Sequence, residues 1–404
     1  MTNGASSVDE RERTHILRVE RTERALTLDW GDGHRSLLHY IGLRDNCECH
    51  ECGSEYSDIG TGSRKKYLNL LAIPEDVRPV SAELDEHNQL RIVWHPNHHR
   101  SMYPAAWLRD HCYSPEERQR RRHQPVLWTG ALSSQKPAMD YREIIAEIGL
   151  LRMLELVRDY GFVLVHGVPI RLNEVEKVGA LVGRLKENNY GRVFDVVAGV
   201  GPEIGATNRY ELPPHTDDPF RYTPPGLTLF HCLKASAHGG ETQLVDAFKI
   251  AEVLRELEPN SFDILSRLPQ NFHRYHLDEM DLRADARAIA TDFEGRVMGV
   301  RFDNHTYAPL DLPAQYVARY YAALRRFMAL GVDPDYRLQF RLEPGDMLVY
   351  DNQRVMHGRT AFEGDRHLQL AHLDREEFHS RLHVLGRRFG RDDVQHILAQ
   401  GALG

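Results

Sequence analysis

Residues 212–232 read LPPHTDDPFRYTPPGLTLFHC, and our interpretation of the chain starts from His215 and Asp217 within this stretch. Side chains alternate along an extended strand with a period of two, so a His and an Asp two residues apart point to the same side. One imidazole nitrogen and one carboxylate oxygen can then reach a single ion. The pattern predicts part of a metal site. The alternative, in a chain with 23 histidines, is a surface loop whose histidines have ordinary hydrogen-bond partners.

A third ligand is predicted far along the chain, in the segment PGDMLVYDNQRVMHGR at residues 344–359. Pro344 and Gly345 mark a turn, and the apolar residues that follow predict a strand leading toward His357. Two histidines and one carboxylate form a facial triad that leaves three coordination positions open, which suits non-haem Fe(II). We therefore predict that His215, Asp217 and His357 bind iron and form the catalytic centre.

Two further residues are predicted to bind a carboxylate beside this centre. Arg366 lies nine positions after His357, far enough for a strand to pass the metal and present a guanidinium to a carboxylate. In HGGETQLVDAF, at residues 238–248, Gly239 and Gly240 turn the chain and Thr242 begins another strand, so its hydroxyl can join the same carboxylate. Arg366 would then lie about one 2-oxoglutarate length from the metal, where it could hold the distal carboxylate of that co-substrate.

Taken together, these motifs resemble one protein family. HTD at 215–217, GGxT at 239–242, PGD at 344–346, DNxRxxHGR at 351–359 and the late Arg366 occur in this order and spacing. They are similar to those of the Fe(II)/2-oxoglutarate oxygenases of the gamma-butyrobetaine and trimethyllysine hydroxylase family, over nearly the whole chain. The resemblance implies 2-oxoglutarate and O2 as co-substrates and succinate and CO2 as co-products. It further implies hydroxylation of an unactivated C–H bond in a small quaternary-ammonium, betaine-like substrate.

Two alternatives come from other functional classes. A metal-binding barrel without catalysis would keep the triad, but it would have no use for a carboxylate anchor such as Arg366. Nucleic-acid binding through the CxCxxC region and the basic run ERQRRRHQ near residue 120 would require interleaved aromatic residues, which the run lacks. The net charge of -8 gives no general attraction to nucleic acid either. We therefore expect a small-molecule substrate and no nucleic-acid partner.

Three cysteines lie together in Cys47-Glu48-Cys49-His50-Glu51-Cys52. Neighbouring thiols in a chain without a secretion signal favour metal ligation over disulfides, because the cytosol keeps thiols reduced. Three thiolates need one more ligand to complete a tetrahedral structural zinc site. The alternative is a chance cysteine-rich turn.

The fourth zinc ligand stays open on spacing alone, although His50 is disfavoured because it lies within the loop itself. The candidates are His50, His95, His98, His99 and His111. The family resemblance implies the His of an HxSxY segment before a Trp-Leu pair, which is His99 here. It also implies that the zinc is structural and that the zinc domain helps form a homodimer.

The domain organisation follows from composition. Residues 1–125 are predicted to form a small β-rich zinc-binding domain, because HILRVERTERALTLDWGDG and LRIVWHP alternate as strands do. Prolines and a charge run mark a boundary near residue 125. Residues 126–404 are predicted to form the catalytic domain, a double-stranded β-helix (jelly roll) with flanking helices. The fold class is therefore mainly β, with helices predicted over residues 141–160, 173–188, 248–259, 261–268 and 316–331.

The substrate site is the least determined part of the sequence. The resemblance implies an aromatic cage for a trimethylammonium group, which gains cation–π attraction over ring faces. Tyr190 matches the first cage tyrosine, and Phe194 stands where the gamma-butyrobetaine enzymes have Trp. Ala206 or Thr207 stands where a later aromatic residue is expected, and His372 replaces the tyrosine that follows the late Arg.

Other residues are candidates to complete this site. Tyr210 is predicted to compensate for the missing aromatic residue, and Asn304 is a candidate contact for an anionic group. The alternative for Tyr190 and Phe194 is ordinary core packing. A trimethylammonio-alkylphosphonate or an amino acid is the alternative substrate.

Localisation follows from the same composition. No apolar run approaches the ~20 residues needed to span a bilayer, and the first thirty residues lack an apolar core of the signal-peptide kind. The sequence thus predicts a cytoplasmic protein without a membrane partner.

Overall fold

The computed structural model describes residues 10–54, 65–199, 207–235, 238–276 and 279–402. The chain divides into two compact units, Met1–Arg122 and His123–Gly404, and each is described by itself. Within the described residues, no helix is both long enough and apolar enough to cross a lipid bilayer.

The first unit is built mainly from antiparallel strands. β1–β2–β3 form one three-stranded sheet and β6–β7–β8 form another. The described strands are β1 Ile16–Arg21, β2 Ala25–Trp30, β3 Arg35–His39, β4 Gly53–Ser54, β5 Lys65–Lys66, β6 Arg78–Leu84, β7 Leu90–His95 and β8 Arg100–Tyr103. The helices are α1 Glu10–Arg13, α2 Tyr40–Asp45, α3 Ala105–Asp110 and α4 Pro115–Arg120, with a 3₁₀ turn at Leu70–Ala72.

The core of the first unit comes from alternate residues of the predicted strands. Leu26, Leu28 and Trp30 of β2 are buried, and they share one cluster with Ile92 and Trp94 of β7. Successive side chains of a strand point to opposite faces, so this alternation buries one face of each sheet. The two strand segments read from the sequence are therefore confirmed.

A buried ion-pair network joins the two ends of the first unit. Glu117 of α4 accepts hydrogen bonds from Arg13 at 3.0 Å and from Arg109 Nε at 2.9 Å. Arg109 also binds both carboxylate oxygens of Asp32, at 3.1 and 2.8 Å. These arginines hold the pKa of Glu117 below its ordinary value even though burial alone would raise it. We call these four residues the Glu117 network.

The second unit contains two facing sheets. The larger has the order β11–β25–β14–β22–β10–β9 with β12 also paired to β25, and the smaller has the order β13–β23–β16–β21. The strands are β9 Ala138–Asp140, β10 Phe162–His166, β11 Leu185–Lys186, β12 Val193–Val197, β13 Leu212–His215, β14 Leu227–Lys234, β15 His238–Gly239, β16 Thr242–Asp246, β17 Pro269–His276, β18 Met280–Arg287, β19 Ile289–Thr291, β20 Val297–Val300, β21 Arg337–Phe340, β22 Met347–Asp351, β23 Val355–Arg359, β24 Phe362–Glu363 and β25 His367–Leu373.

Helices flank these sheets. They are α5 Tyr141–Ile144, α6 Glu147–Tyr160, α7 Glu174–Val182, α8 Ala247–Leu257, α9 Pro259–Arg267, α10 Ala314–Val332 and α11 Arg375–Arg388, with 3₁₀ turns at Gly130–Gln135, Pro334–Tyr336 and Asp392–Gln395. Alternate residues of the strands in the larger sheet point to its two faces and pack in two different hydrophobic clusters. Leu229 and Val349 pack in a cluster with α6, α7 and α11, while Phe230 and Leu348 pack in a second cluster with Leu244 of the smaller sheet. The predicted jelly roll with flanking helices is confirmed.

The predicted helices differ from the structure in two places. The pattern at 141–160 is divided into α5 and α6, and a Cβ at Gly149 would lie 2.0 Å from the Glu143 carbonyl oxygen. Glycine therefore permits this close approach between the end of α5 and the start of α6. The helix predicted over 173–188 ends at Val182, because the following residues pair with β25 as β11.

Two side-chain predictions also need correction. Asn is a favoured N-cap residue, so the sequence predicts Asn173 as the N-cap of α7, but its φ is +66° and its side chain makes no capping hydrogen bond. The helical spacing of Tyr320, Tyr321 and Phe327 predicts that all three pack in the core, yet Tyr321 is 48% exposed while the other two are buried. Helical spacing alone did not distinguish the buried face from the residue beside it.

Candidate active site and metal centres

The three predicted iron ligands converge at one end of the smaller sheet. His215 ends β13 and lies directly opposite His357 of β23 in the antiparallel register. Asp217 lies beyond the end of β13, so the prediction that His215 and Asp217 share one strand is wrong. Asn352 holds Asp217 instead, because its side chain accepts from the Asp217 amide at 2.7 Å and donates to the Asp217 carbonyl at 3.1 Å.

The ligand atoms of these three residues face each other. Asp217 Oδ1 is 3.8 Å from His215 Nε2 and 3.6 Å from His357 Nε2, and one ligand atom from each residue lies within 4.8 Å of the others. Burial, together with the neighbouring His215, holds the pKa of His357 well below its ordinary value. Unprotonated imidazole is the form that binds metal, so this donor set fits Fe(II).

Hydrogen bonds on the far side of each ring orient both histidines. His215 Nδ1 is 3.0 Å from the Pro213 carbonyl oxygen, so Nδ1 carries the proton and Nε2 is free. Tyr350 Oη donates to Asp217 Oδ2 at 3.0 Å and lies 3.2 Å from His357 Nδ1. A phenol has one proton, so the Tyr350 oxygen accepts from His357 Nδ1 while it donates to Asp217.

Tyr350 is therefore a site residue that the sequence reasoning missed. The sequence pattern predicts Tyr350 only as part of an apolar strand. Its side chain is fully buried, and this burial raises its pKa well above the ordinary value. The strand alternation contains the missing signal. Leu348 packs between the two sheets, and Tyr350, two residues later on β22, faces the same way.

Arg366 and Thr242 lie at the same pocket. That small pocket is lined by Cys232, Ala235, Gly240, Thr242, Arg341, Leu342, Arg366 and Leu368. Burial lowers the pKa of Arg366 to about 10, so its guanidinium remains a cation at neutral pH. Among the residues that the structure describes, no carboxylate forms an ion pair with Arg366. Arg359, by contrast, donates to the backbone carbonyls of Asn208 and Tyr210.

Three of the predicted substrate residues form a cluster beside Asp217. The ring centroids of Tyr190 and Phe194 are 5.6 Å apart, and those of Phe194 and His372 are 5.2 Å apart at an interplanar angle of 73°. His372 Nε2 is 3.9 Å from Asp217 Oδ2. We call Tyr190, Phe194 and His372 the aromatic cluster.

The remaining predicted substrate residues are not brought into this cluster. The Tyr210 side chain is 78% exposed and makes no ring contact within the described part of the chain. Asn304 is also exposed, and Thr207 is buried. Ala206 lies outside the described residues. Among the described residues, no hydrogen bond or ring contact joins Tyr210 or Asn304 to the aromatic cluster, and their predicted roles stay predictions.

The predicted zinc ligands form a second group, in the first unit. His99 Nε2 is 3.4, 3.5 and 3.5 Å from the sulfurs of Cys47, Cys49 and Cys52. A tetrahedral ion about 2.3 Å from sulfur and about 2.0 Å from nitrogen requires S···N separations of about 3.5 Å. The spacing therefore fits Zn(II). Among the described residues, the group contains His99 and none of the other four candidate histidines.

Neighbouring polar groups support this arrangement. Ser101 Oγ donates to Cys47 Sγ at 3.0 Å, and Arg44 donates to Cys52 Sγ at 3.2 Å. The Glu51 carboxylate is 3.3 Å from His99 Nδ1, on the side of the ring away from the sulfurs. Hydrogen bonds to thiolates and to the second nitrogen of a histidine ligand are typical of zinc sites.

We expect protein purified without chelator to contain one zinc per chain. Cys52→Ser should remove most of it and lower the Tm by about 5 °C or more, because metal binding contributes directly to folding. Elemental analysis and thermal unfolding measure both effects. Cys112→Ser is the control, since Cys112 is also buried but lies outside the group. Zinc-free protein with oxidised cysteines would contradict the assignment.

Comparisons with known proteins agree with this geometry. Residues 105–372 match the family described as taurine catabolism dioxygenase TauD, TfdA family, and residues 17–109 match the gamma-butyrobetaine hydroxylase-like N-terminal family. The chain is 35% identical to gamma-butyrobetaine dioxygenase of Pseudomonas sp. (strain AK-1), covering 90% of this chain and 94% of that protein.

Two further relatives match over most of their length. Human gamma-butyrobetaine dioxygenase is 30% identical, covering 89% of this chain and 94% of its own. Trimethyllysine dioxygenase of Meyerozyma guilliermondii is 29% identical, covering 94% and 97%. The chain belongs to the gamma-butyrobetaine and trimethyllysine hydroxylase family of Fe(II)- and 2-oxoglutarate-dependent oxygenases, and it is a dioxygenase.

Proposed function

We propose that this dioxygenase hydroxylates an unactivated C–H bond in a small quaternary-ammonium, betaine-like substrate, releasing succinate and CO2. The observation that carries the proposal is the pair of rings Tyr190 and Phe194, 5.6 Å apart, in the cluster that adjoins Asp217. A desolvated cation over such ring faces gains ~2 kcal/mol or more. The relatives named for gamma-butyrobetaine and trimethyllysine support the same substrate class.

We assign the iron to His215, Asp217 and His357. Bound Fe(II) and 2-oxoglutarate together supply the activation of O2 for C–H oxidation. The chain's own residues orient the ligands. The Tyr350 hydroxyl donates a hydrogen bond to Asp217 Oδ2, and this leaves Oδ1 facing both histidines. Asn352 fixes the backbone of Asp217 beyond the end of β13.

We assign the distal carboxylate of 2-oxoglutarate to Arg366 and Thr242. A desolvated guanidinium that has no acidic partner among the described residues favours an anion. The planar fork of Arg pairs with a carboxylate through two parallel hydrogen bonds. The Thr242 hydroxyl lines the same pocket and adds a donor. The negative carboxylate of the co-substrate would thus pair with the positive charge of Arg366.

Arg366→Ala should raise the KM for 2-oxoglutarate about 100-fold, because it removes the only cation assigned to that carboxylate. Arg366→Lys should cost less, about tenfold, since it keeps the charge and loses the fork. Arg341→Ala is the matched control, because Arg341 lines the same pocket but pairs with Glu343 at 3.3 Å. Equal KM values for Arg366→Ala and wild type, from succinate release, would exclude this role.

The substrate class is tested with a panel of trimethylammonium acids that includes gamma-butyrobetaine, trimethyllysine and trimethylammonio-alkylphosphonates. We expect succinate release with at least one of them and a product 16 mass units heavier, as one added oxygen requires. Tyr190→Ala should raise the KM more for a quaternary amine than for its neutral isostere, because the lost attraction depends on charge. Equal effects on both would assign Tyr190 to packing.

The roles of the two parts of the chain complete the proposal. We assign structural zinc binding to residues 1–125 through Cys47, Cys49, Cys52 and His99, and oxygenase chemistry to residues 126–404. Homodimer assembly and a cytoplasmic location stay predictions from the sequence. Light scattering of the purified protein tests the first, and cell fractionation tests the second.

A further inference from the structure

The His372 ring has one nitrogen without a partner. Its side chain is 3% exposed, and Nε2 is buried without a hydrogen bond to any of the described residues. Asp217 Oδ2, at 3.9 Å, is too distant for a hydrogen bond and already accepts one from Tyr350 at 3.0 Å. Buried polar atoms in proteins almost always have a partner, so this nitrogen indicates a missing one.

The contacts of Asn188 determine which ring nitrogen of His372 carries the proton. Asn188 Oδ1 accepts from the Tyr190 backbone amide at 2.8 Å, which orients the Asn188 side chain. Asn188 Nδ2 then lies 3.4 Å from His372 Nδ1, as a donor. His372 Nδ1 is therefore the acceptor, and in the neutral ring Nε2 carries the proton. The unpartnered group is an N–H donor.

The His372 ring adjoins both Phe194, 5.2 Å away between ring centroids, and the iron ligand Asp217, whose Oδ2 is 3.9 Å from His372 Nε2. The His372 ring stands nearly perpendicular to Phe194, and on β25 it lies opposite Thr228 of β14, which in turn lies opposite Tyr350 of β22. Two residues along the same three strands, and on the same face, the corresponding side chains are apolar: Leu370, Phe230 and Leu348. A polar row thus occurs where the sheet adjoins Asp217.

We propose that His372 is a specificity-determining residue that donates its Nε2 hydrogen to an oxygen of the substrate. This inference rests on the proposed function and narrows it. The substrate is a quaternary-ammonium compound that presents a hydroxyl, carboxylate or phosphonate oxygen to His372 while Tyr190 and Phe194 hold the cation. A substrate that presents only methyl or methylene groups there leaves the donor unpaired, and a site built to hydrogen-bond rejects such an analogue strongly.

Matched ligands test the proposal by calorimetry on protein loaded with Fe(II) and 2-oxoglutarate without O2. The oxygen-bearing probes are choline, glycine betaine and trimethylammonioethylphosphonate, which separate hydroxyl, carboxylate and phosphonate. The oxygen-free probe is n-propyltrimethylammonium. We expect wild type to bind at least one oxygen-bearing probe about tenfold or more tightly than the oxygen-free one, as one hydrogen bond to a buried donor provides.

His372→Phe keeps a ring and removes the donor. It should weaken binding of the oxygen-bearing probe only, and so bring the ratio of the two affinities close to one. His372→Gln keeps an N–H donor and should retain part of it. An unchanged ratio in His372→Phe, or a wild-type ratio near one, would overturn the proposal. Thermal unfolding identifies a variant that fails to fold, and the wild-type ratio then decides alone.

A neutral probe separates this inference from the proposed function. 3,3-Dimethylbutanol has the shape and the hydroxyl of choline without its charge. Binding of this alcohol as tightly as choline would contradict the cation site at Tyr190 and Phe194. His372→Phe would still weaken the alcohol if His372 binds its oxygen, so each claim can fail while the other stands.

Discussion

Asp217→Ala is expected to abolish Fe(II) binding and to lower succinate formation by more than about 100-fold, the upper end of the cost of losing an outer partner of a metal ligand. Asp217 Oδ1 is the atom that faces both histidine Nε2 atoms, at 3.8 and 3.6 Å. Its removal leaves two neutral imidazoles and no negative charge for a divalent ion. The fold should remain, because Asn352 holds the Asp217 backbone rather than its carboxylate.

Two measurements separate loss of iron from loss of fold. Anaerobic Fe(II) titration should give one site per chain in wild type and none in Asp217→Ala, while the circular dichroism spectra agree. Glu211→Ala is the control variant, because Glu211 is exposed and immediately precedes β13. Turnover retained in Asp217→Ala would refute the ligand assignment.

Glu117→Ala is expected to destabilise the first unit by about 3–5 kcal/mol, the usual cost of leaving buried charges without a partner. Glu117 receives hydrogen bonds from both Arg13 and Arg109, and all three side chains are buried. Asp32 and Asp110 also pair with these arginines, at 2.8 and 3.0 Å, and we expect both pairs to remain in the variant. These two carboxylates neutralise part of the positive charge of Arg13 and Arg109, so we do not expect the loss of folding free energy to exceed this range.

The same network predicts a pH dependence. The pKa of Glu117 is lowered from 4.5 in the folded chain, so its contribution to stability is present above about pH 4.5 and is lost as the pH falls through the folded-state pKa. Thermal unfolding of wild type and Glu117→Ala should therefore differ most at neutral pH and converge in acid. Glu116→Ala, an exposed neighbour on the same helix, should change the Tm little at any pH.

The grouping of the predicted ligand residues could be read from the sequence, because metal-binding chemistry is tied to residue type and order. His215, Asp217 and His357 form one group in the structure, and so do Cys47, Cys49, Cys52 and His99. The local geometry could not be predicted as well. Asp217 lies beyond its strand because Asn352, far along the chain, binds its backbone. Such a contact leaves no trace in the HTD motif itself.

Other misses have physical causes of the same kind. Tyr350 occupies a position that any large apolar residue could fill, and only the opposing sheet shows that its phenol reaches Asp217 and His357. The apolar helical pattern is continuous near residue 145, but Gly149 allows α5 and α6 to meet there as separate helices. Tyr210 was expected to replace a cage residue, and its exposure depends on a loop whose course no periodicity predicts.

The central claim, that this chain oxidises a quaternary-ammonium substrate with O2 and 2-oxoglutarate, is tested most directly by isotope labelling. Wild-type enzyme is supplied with Fe(II), 2-oxoglutarate, ¹⁸O2 and the best substrate of the trimethylammonium panel. The masses of succinate and of the hydroxylated substrate are then measured by mass spectrometry. We predict one ¹⁸O atom in succinate and one in the hydroxylated substrate, in equal amounts of product. Unlabelled succinate, or no succinate and no hydroxylated product from any panel compound, would contradict the account.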